Sequence, residues 1–171
     1  TTLPAGGHRR IVDSKLALLI KKLGLPVPKE LSCLEDKGLL KILIVDDEAG
    51  IRQMIRWTLR EGFPEAEIEE AENGLAAGWK TMKFHPDLIF LDLMMPALDG
   101  FRFCEMVRTT AELKEARIIA MSGVQGFGFE EKISQMGADD FIAKPFIVDL
   151  LKLKILAQLQ IIEQRKKGSR P

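Results

Sequence analysis

The sequence predicts an α/β fold: a doubly wound, five-stranded parallel sheet with helices on both faces, preceded by a short N-terminal helical extension. Short, almost continuous apolar runs alternate along the chain with segments of helical spacing, in the order βαβαβαβαβα. Such runs are typical of parallel strands that are covered on both faces. Polar residues interrupt these runs at the strand ends, which an order of 2-1-3-4-5 would bring to one edge.

Each element has a local signal. The first strand is predicted over the run LLKILIV, residues 39–45. The helix after it stops at Gly62-Phe63-Pro64, and Asn73-Gly74 opens the next helix, because glycine, proline and asparagine mark helix boundaries. The five strands are predicted over residues 39–45, 67–71, 88–91, 117–121 and 140–143, and the helices that follow them over residues 51–61, 74–84, 101–108, 130–136 and 147–165.

Four segments divide the chain. Residues 1–30 form an N-terminal extension with an amphipathic helix over 14–24, which ends at Gly24 before two prolines. Residues 31–38 form a linker, residues 39–165 the α/β domain, and residues 166–171 a basic tail. The chain starts with Thr1 rather than Met, so we treat it as a possible fragment of a longer protein.

Composition narrows the class of protein. Lys and Arg number 25, as do Asp and Glu, and 46% of the residues are hydrophobic, which is ordinary for a soluble globular protein. No uncharged apolar run reaches the roughly 18–20 residues of a membrane span, and no signal peptide is visible, so we expect no membrane association. The two cysteines are far apart and lie in no metal-binding pattern, which favours a reducing cytoplasm over a disulfide framework.

The neutral total conceals an uneven distribution of charge. The net charge is +4 over residues 1–30, −9 over residues 31–150 and +5 over residues 151–171. An acidic body argues against a general nucleic-acid coat, because contacts with phosphates dominate that kind of affinity. It is compatible with a site that binds a hard divalent cation.

Polar side chains follow four of the five predicted strands. They are Asp46 and Asp47, Asp92, Ser122 and Lys144, whereas the second strand contributes no obvious candidate. The carboxyl ends of parallel strands meet at one edge of the sheet, and ligands bind there. The order 2-1-3-4-5 would place the Asp46-Asp47 pair beside Asp92.

This set of residue types indicates phosphoryl chemistry. Three neighbouring carboxylates stay ionised only with a cation among them, and oxygen ligands suit Mg²⁺. A lysine and a hydroxyl beside the metal would receive an anion such as a phosphoryl group. One of the carboxylates could then act as a nucleophile and form an aspartyl phosphate.

Four stretches resemble the receiver domain of bacterial two-component response regulators. They are ILIVDDE (42–48), PDLIFLDLMMPALDG (86–100), IIAMSG (118–123) and GADDFIAKPF (137–146), and the likeness covers about residues 39–160. The resemblance implies a phosphorylation-controlled signalling module that accepts its phosphoryl group from a histidine kinase or a phosphotransfer protein. Such a module is not an enzyme in the usual sense, since it catalyses only its own phosphorylation and dephosphorylation.

The resemblance also implies a role for each residue. Asp92 would be the phosphoacceptor, and Asp47 and Asp92 would bind Mg²⁺ directly, with help from Asp46 and the backbone carbonyl of Met94. The remaining implied roles are phosphoryl binding by Ser122 and Lys144, a switch formed by Ser122 and Phe141, and a cis peptide bond before Pro145. Serine stands where the family more often has threonine, and phenylalanine where it often has tyrosine, so the coupling between them can differ. Phe141 as an ordinary core residue remains an equal alternative.

The N-terminal segment has a second, shorter resemblance. Residues 3–28, LPAGGHRRIVDSKLALLIKKLGLPVP, resemble the end of an excisionase-like or mercury-regulator-like winged-helix DNA-binding domain. That likeness implies that Arg9 and Arg10 contact the DNA backbone and that an upstream domain carries the recognition helix. A disordered arm is the alternative for this segment.

Several other functions remain as alternatives. The receiver could switch DNA binding and transcription through an upstream domain, or act alone as a phosphorelay or interaction adaptor. A haloacid-dehalogenase-type phosphohydrolase would need an aspartate two positions after Asp92, where this chain has Met94. A pseudo-receiver scaffold would have lost a site residue, and a flavodoxin-like nucleotide carrier would need a phosphate-binding loop in place of Asp46-Asp47-Glu48.

The last predicted helix is longer than the strands that it covers. Its length predicts terminal turns that extend beyond the sheet, with more apolar surface than one face needs. We expect this surface to pack against the 14–24 helix or against a second subunit in a homodimer. The residues concerned are Leu153, Leu156, Leu159, Ile161 and Ile162.

Overall fold

The computed structural model describes residues 40–96, 98–124 and 129–168. The predicted extension, the linker and the residues Arg9 and Arg10 lie outside this part of the chain. Within it, strands and helices alternate as expected. The strands are β1 (Lys41–Val45), β2 (Glu67–Ala71), β3 (Leu88–Asp92), β4 (Arg117–Ser122) and β5 (Asp140–Ala143), and the helices are α1 (Ala49–Gly62), α2 (Gly74–Phe84), α3 (Gly100–Thr109), α4 (Phe129–Gln135) and α5 (Val148–Gly168).

All five strands are parallel and lie in the order β2-β1-β3-β4-β5, which confirms the predicted topology. The order reverses between β1 and β3, where Ile44 pairs with Phe90 and Val45 with Leu91. Asp46 follows β1 directly and Asp92 ends β3, so this reversal brings the two carboxylates to one edge of the sheet.

Two apolar layers cover the sheet. On one face Leu43, Val45 and their neighbours pack with Ala77 of α2, Phe103 of α3 and Ile133 of α4. On the other face Ile42 and Ile44 pack with side chains of α1 and α5. The side chains of β1 alternate between the two layers because successive residues of a strand point to opposite faces. Burial of both layers gives the strand ends a rigid support.

Capping moves several helix boundaries by one or two residues. Helix α1 starts at Ala49 rather than at residue 51, with Glu48 in extended conformation as its N-cap. Helix α3 starts at Gly100 because the Asp99 side chain accepts hydrogen bonds from the amides of Phe101 and Arg102. Strand β1 begins at Lys41, two residues later than predicted, and Leu40 lies outside any regular element.

Helix α5 corrects two predictions. It continues to Gly168, so the first residues of the predicted basic tail are helical. Ile162 is buried in the domain's own core and Leu159 packs against it, so neither residue needs an external partner. Leu153 and Leu156 remain 64% and 44% exposed. None of the helices in the described part combines the length and apolar character that a membrane crossing requires.

Candidate functional site

The carboxyl ends of β1 and β3 bring three carboxylates together. One oxygen atom from each of Asp46, Asp47 and Asp92 lies within 4.8 Å of the others. Asp46 is fully buried and Asp92 is 3% exposed, whereas Asp47 faces solvent. The cluster is therefore mostly shielded from solvent and reaches the surface at Asp47.

Lys144 joins this cluster from the end of β5. Its ammonium nitrogen lies 2.7 Å from Asp46 Oδ2 and 2.8 Å from Asp92 Oδ2, and its side chain is 12% exposed. Glu48, which the sequence analysis did not single out, adds a weaker contact at 3.4 Å. One lysine thus balances a group of carboxylates that would otherwise repel one another.

Backbone amides orient the two buried carboxylates. Asp46 Oδ1 accepts a hydrogen bond from the amide of Glu48, and Asp92 Oδ1 accepts one from the amide of Met94, each at 2.9 Å. The second oxygen of each carboxylate is left to face Lys144. Met94 is 59% exposed, and the role of its carbonyl as a ligand stays a prediction.

The environment shifts the pKa values of two of these groups. Burial raises the pKa of Asp46, and it outweighs the opposite effects of the Lys144 ammonium group and the Glu48 amide. Burial disfavours the charged form of Lys144, but its contacts with Asp46 and Asp92 dominate and raise its pKa. An ionised Asp46 and a protonated Lys144 thus depend on each other at neutral pH.

The residues fit a hard divalent cation. Asp46 Oδ2 is fully buried, and it makes the ion pair with Lys144 but no well-aligned hydrogen bond. Every ligand atom that the cluster offers is a carboxylate oxygen, the type that Mg²⁺ prefers. The described cluster therefore contains an under-satisfied buried acceptor of the right chemistry.

Ser122 and Phe141 lie on the neighbouring strands β4 and β5. Ser122 ends β4 and is fully buried, and its hydroxyl oxygen accepts a hydrogen bond of 3.0 Å from the amide of Val124. Phe141 on β5 is half-buried and packs against the core layer that contains Leu43. Its role as a switch stays a prediction. The Lys144–Pro145 peptide bond is cis.

Two further residues, Arg52 and Glu70, support the Asp46-Asp47 loop, which we call the acidic loop. The sequence analysis predicted neither of them. Arg52 of α1 donates hydrogen bonds from one guanidinium nitrogen to the backbone carbonyls of Asp46 (2.8 Å) and Asp47 (3.2 Å). Its Nε pairs with Glu70 of β2 at 3.2 Å. The second strand was expected to contribute no obvious site residue, and Glu70 of that strand contacts Arg52 rather than the carboxylate cluster. Glu70 lies beside the end of β1 because the register pairs it with Ile44.

Comparison with known proteins points to one family. The family model described as the response regulator receiver domain matches residues 42–156. The transcriptional regulatory protein ResD of Bacillus subtilis (strain 168) is 41% identical over 132 residues, which cover 72% of this chain and 50% of ResD. The chain thus spans about half the length of that relative.

A shorter relative and a solved structure agree with this match. The chemotaxis protein CheY of Listeria monocytogenes is 37% identical over 111 residues, which cover 65% of this chain and 91% of CheY. The crystal structure of the signal receiver domain of a DNA-binding response regulator from Colwellia psychrerythraea 34H is similar, with a TM-score of 0.67 and 31% identity. That similarity covers 71% of this chain and 98% of the other.

Proposed function

This chain belongs to the response regulator receiver domain family of two-component signalling, and we propose that Asp92 is its phosphoacceptor in a Mg²⁺-dependent reaction. The observation that carries the proposal is the position of Asp92. It lies in a carboxylate cluster whose ligand atoms are within 4.8 Å of one another, and its Oδ2 is 2.8 Å from the Lys144 ammonium. These distances support the proposal that a nucleophile, a cation site and an anion-binding group act together on one phosphoryl group.

In the proposed reaction, a carboxylate oxygen of Asp92 attacks the phosphorus atom of the donor, and the bond from phosphorus to the leaving group breaks. Asp47 and Asp92 would hold Mg²⁺ with help from Asp46 and the Met94 carbonyl. The metal would neutralise charge on the transferred phosphoryl oxygens. The ammonium group of Lys144 would stay beside Asp92 and form an ion pair with the new phosphoryl group.

Ser122 would supply the second contact to the phosphoryl group. Its hydroxyl oxygen accepts a hydrogen bond from the amide of Val124, so the O–H group can still rotate and donate its proton to another acceptor. We propose that this donation draws Ser122 towards the phosphoryl group and changes the preferred position of Phe141, which packs against the core from the neighbouring strand β5. Phosphorylation would change the surface of the domain in this way.

The proposed phosphodonor is a sensor histidine kinase or a phosphotransfer protein in the cytoplasm. We propose DNA-binding output through a further domain, because ResD, of which this chain covers half, is named a transcriptional regulatory protein. Arg9 and Arg10 would then contact the DNA backbone. The second candidate is a stand-alone adaptor, which the 91% coverage of CheY supports.

Intact-protein mass spectrometry after incubation with acetyl phosphate and Mg²⁺ tests the proposal. We expect wild-type protein to gain the mass of one phosphoryl group, and Asp92→Asn to gain none, because an amide is not a nucleophile for this transfer. EDTA should prevent the gain in wild-type protein.

Asp99→Asn is the matched control. It lies in the same loop, and asparagine preserves the cap of α3, so this variant should be labelled like wild type. Label that persists in Asp92→Asn would place the nucleophile at another residue. Label that forms in EDTA would contradict the metal assignment.

A further inference from the structure

Arg52 and Glu70 form a support behind the acidic loop that no predicted role accounts for. The Arg52 side chain is 13% exposed, although it lies on the first turns of a surface helix. Its guanidinium contacts two consecutive backbone carbonyls, those of Asp46 and Asp47, and also Glu70. A planar guanidinium can serve several acceptors at once in a fixed geometry.

The loop needs this support because few other described contacts fix the position of Asp47. Asp47 is exposed, and in the described part of the chain its carboxylate makes no hydrogen bond or ion pair. Its direction is therefore set by the backbone on either side of it. Arg52 binds the carbonyls that flank this position, so it fixes both peptide planes from which the Asp47 side chain extends.

Mg²⁺ makes this placement important. Mg²⁺ requires near-octahedral coordination with ligand distances of about 2.0–2.1 Å. A ligand that moves away from its position therefore contributes little to Mg²⁺ affinity. A site works when its ligands are held within about 0.5 Å of the productive geometry. Groups that do not touch a metal but orient its ligands typically change its affinity by about 10–100-fold.

Glu70 explains how the positively charged Arg52 side chain can lie next to the loop of the proposed Mg²⁺ site. It accepts hydrogen bonds from Arg52 at 3.2 Å and from Arg56 at 2.9 Å, which neutralises part of their charge. It also anchors Arg52 to β2, a strand that pairs with β1. Without this partner, the guanidinium would be less fixed and would repel an approaching Mg²⁺ more strongly.

We propose that Arg52, held by Glu70, is a positioning residue that pre-orders the Asp46-Asp47 loop for Mg²⁺. This inference rests on the proposed metal site and adds residues that do not touch the metal. Arg56 provides a matched control, since it is on the same helix and binds the same Glu70. It is 52% exposed and has no described contact with the loop.

The test is a titration of ¹⁵N-labelled protein with MgCl₂, followed by the amide resonances of residues 46–48, with urea unfolding in EDTA measured in parallel. We expect Arg52→Gln to weaken Mg²⁺ binding about tenfold. Arg52→Lys should not restore it, because a lysine keeps the charge but cannot bind both carbonyls and Glu70. Glu70→Gln should weaken binding by a smaller factor, and Arg56→Gln should stay within about twofold of wild type.

The alternatives give distinct results. Mg²⁺ binding by Arg52→Gln and Arg52→Lys within twofold of wild type would overturn the proposal, as would an equal loss in Arg56→Gln. If Arg52→Gln is unfolded in EDTA, Arg52→Lys carries the test, and full rescue of affinity by lysine would reduce the role to charge alone and overturn it. Absence of Mg²⁺ binding to wild-type protein would instead refute the metal site itself.

Discussion

Replacement of Lys144 by methionine is the most informative perturbation of the charge balance in this site. The substitution removes the ammonium group from Asp46 Oδ2 at 2.7 Å and from Asp92 Oδ2 at 2.8 Å. Methionine keeps most of the apolar stem, so the loss of packing is small. The change therefore isolates the effect of one positive charge on two buried carboxylates.

We expect a loss of about 3 kcal/mol in the free energy of unfolding at neutral pH without metal, because removal of one partner leaves a buried charge uncompensated. Asp46 is fully buried and Asp92 is 3% exposed, so solvent replaces little of the missing interaction. We choose the lower end of the usual range because the cluster opens to water at Asp47. A surface pair of lysine and glutamate would contribute only about 0.2–1 kcal/mol.

The loss should shrink as the pH falls. The raised pKa of Lys144 keeps its ammonium group protonated at pH values below its ordinary value of 10.5, so the titration of Lys144 itself does not change wild-type stability between pH 8 and pH 4. In the variant, the pKa of Asp46, already raised by burial, would rise further. The folded variant then binds protons more tightly than the unfolded chain, so it regains stability as the pH falls towards 4.

Mg²⁺ should have the same restoring effect at neutral pH. An ion that binds only the folded state stabilises it in proportion to the logarithm of its concentration over its Kd. The variant has one cation fewer among the same carboxylates, so it should bind Mg²⁺ more tightly than wild type does. We therefore expect MgCl₂ to stabilise Lys144→Met by more than it stabilises the wild-type protein.

Urea unfolding followed by far-UV circular dichroism, in EDTA and in MgCl₂, measures these effects. Lys152→Met is the control, because Lys152 pairs with Glu61 at 2.9 Å while both side chains are 44–48% exposed. We expect this control to differ from wild type by less than about 1 kcal/mol. If Lys144→Met were as stable as the control in EDTA at neutral pH, the charge-balance reasoning would be refuted.

Two further predictions concern other parts of the domain. Burial raises the pKa of Cys104 to about 11, and the residue is fully buried. The other cysteine of the chain is Cys33, so a Cys33→Ser variant leaves Cys104 as its one thiol. A thiol reagent at pH 8 should react with this variant at the rate of unfolding, and rapidly in urea. Fast reaction of the native protein would contradict the described burial. The exposed Leu153 on α5 should carry self-association, so Leu153→Asp should shift a dimer to monomer in analytical ultracentrifugation without loss of stability. A wild-type protein that stays monomeric at high concentration would reject the dimer.

The sheet could be predicted from the sequence because its signals are local and repeated. The run at 39–45 and the buried strand at 88–91 are too apolar for surface segments, and polar residues end both. Helix boundaries were less accurate because one cap decides each of them. At α1, for instance, the extended backbone of Glu48 starts the helix at Ala49, a feature that hydrophobic spacing does not contain.

The site also contains residues that could be predicted from the sequence and residues that could not. The carboxylates and the lysine could be predicted because each follows a strand, and the topology then brings them together. Arg52 and Glu70 could not, because their contacts depend on side-chain reach and on register. An arginine on a surface helix usually faces solvent, and a glutamate within an edge strand usually does too. The one signal for Glu70 is its position beside the end of β1. That position is known only once the strand register pairs Glu70 with Ile44.

The two cations on either side of the acidic loop differ in what they bind, and this difference suits them to different tasks. Lys144 contacts carboxylate oxygens, one of them on the residue that we propose to be phosphorylated, so its partners change when a phosphoryl group arrives. Arg52 contacts backbone carbonyls, whose charge is the same before and after that step. Lys144 can therefore respond to phosphorylation while Arg52 keeps the loop in place. Variants of Arg52 should accordingly alter Mg²⁺ affinity, and variants of Lys144 should alter the response to the phosphoryl group.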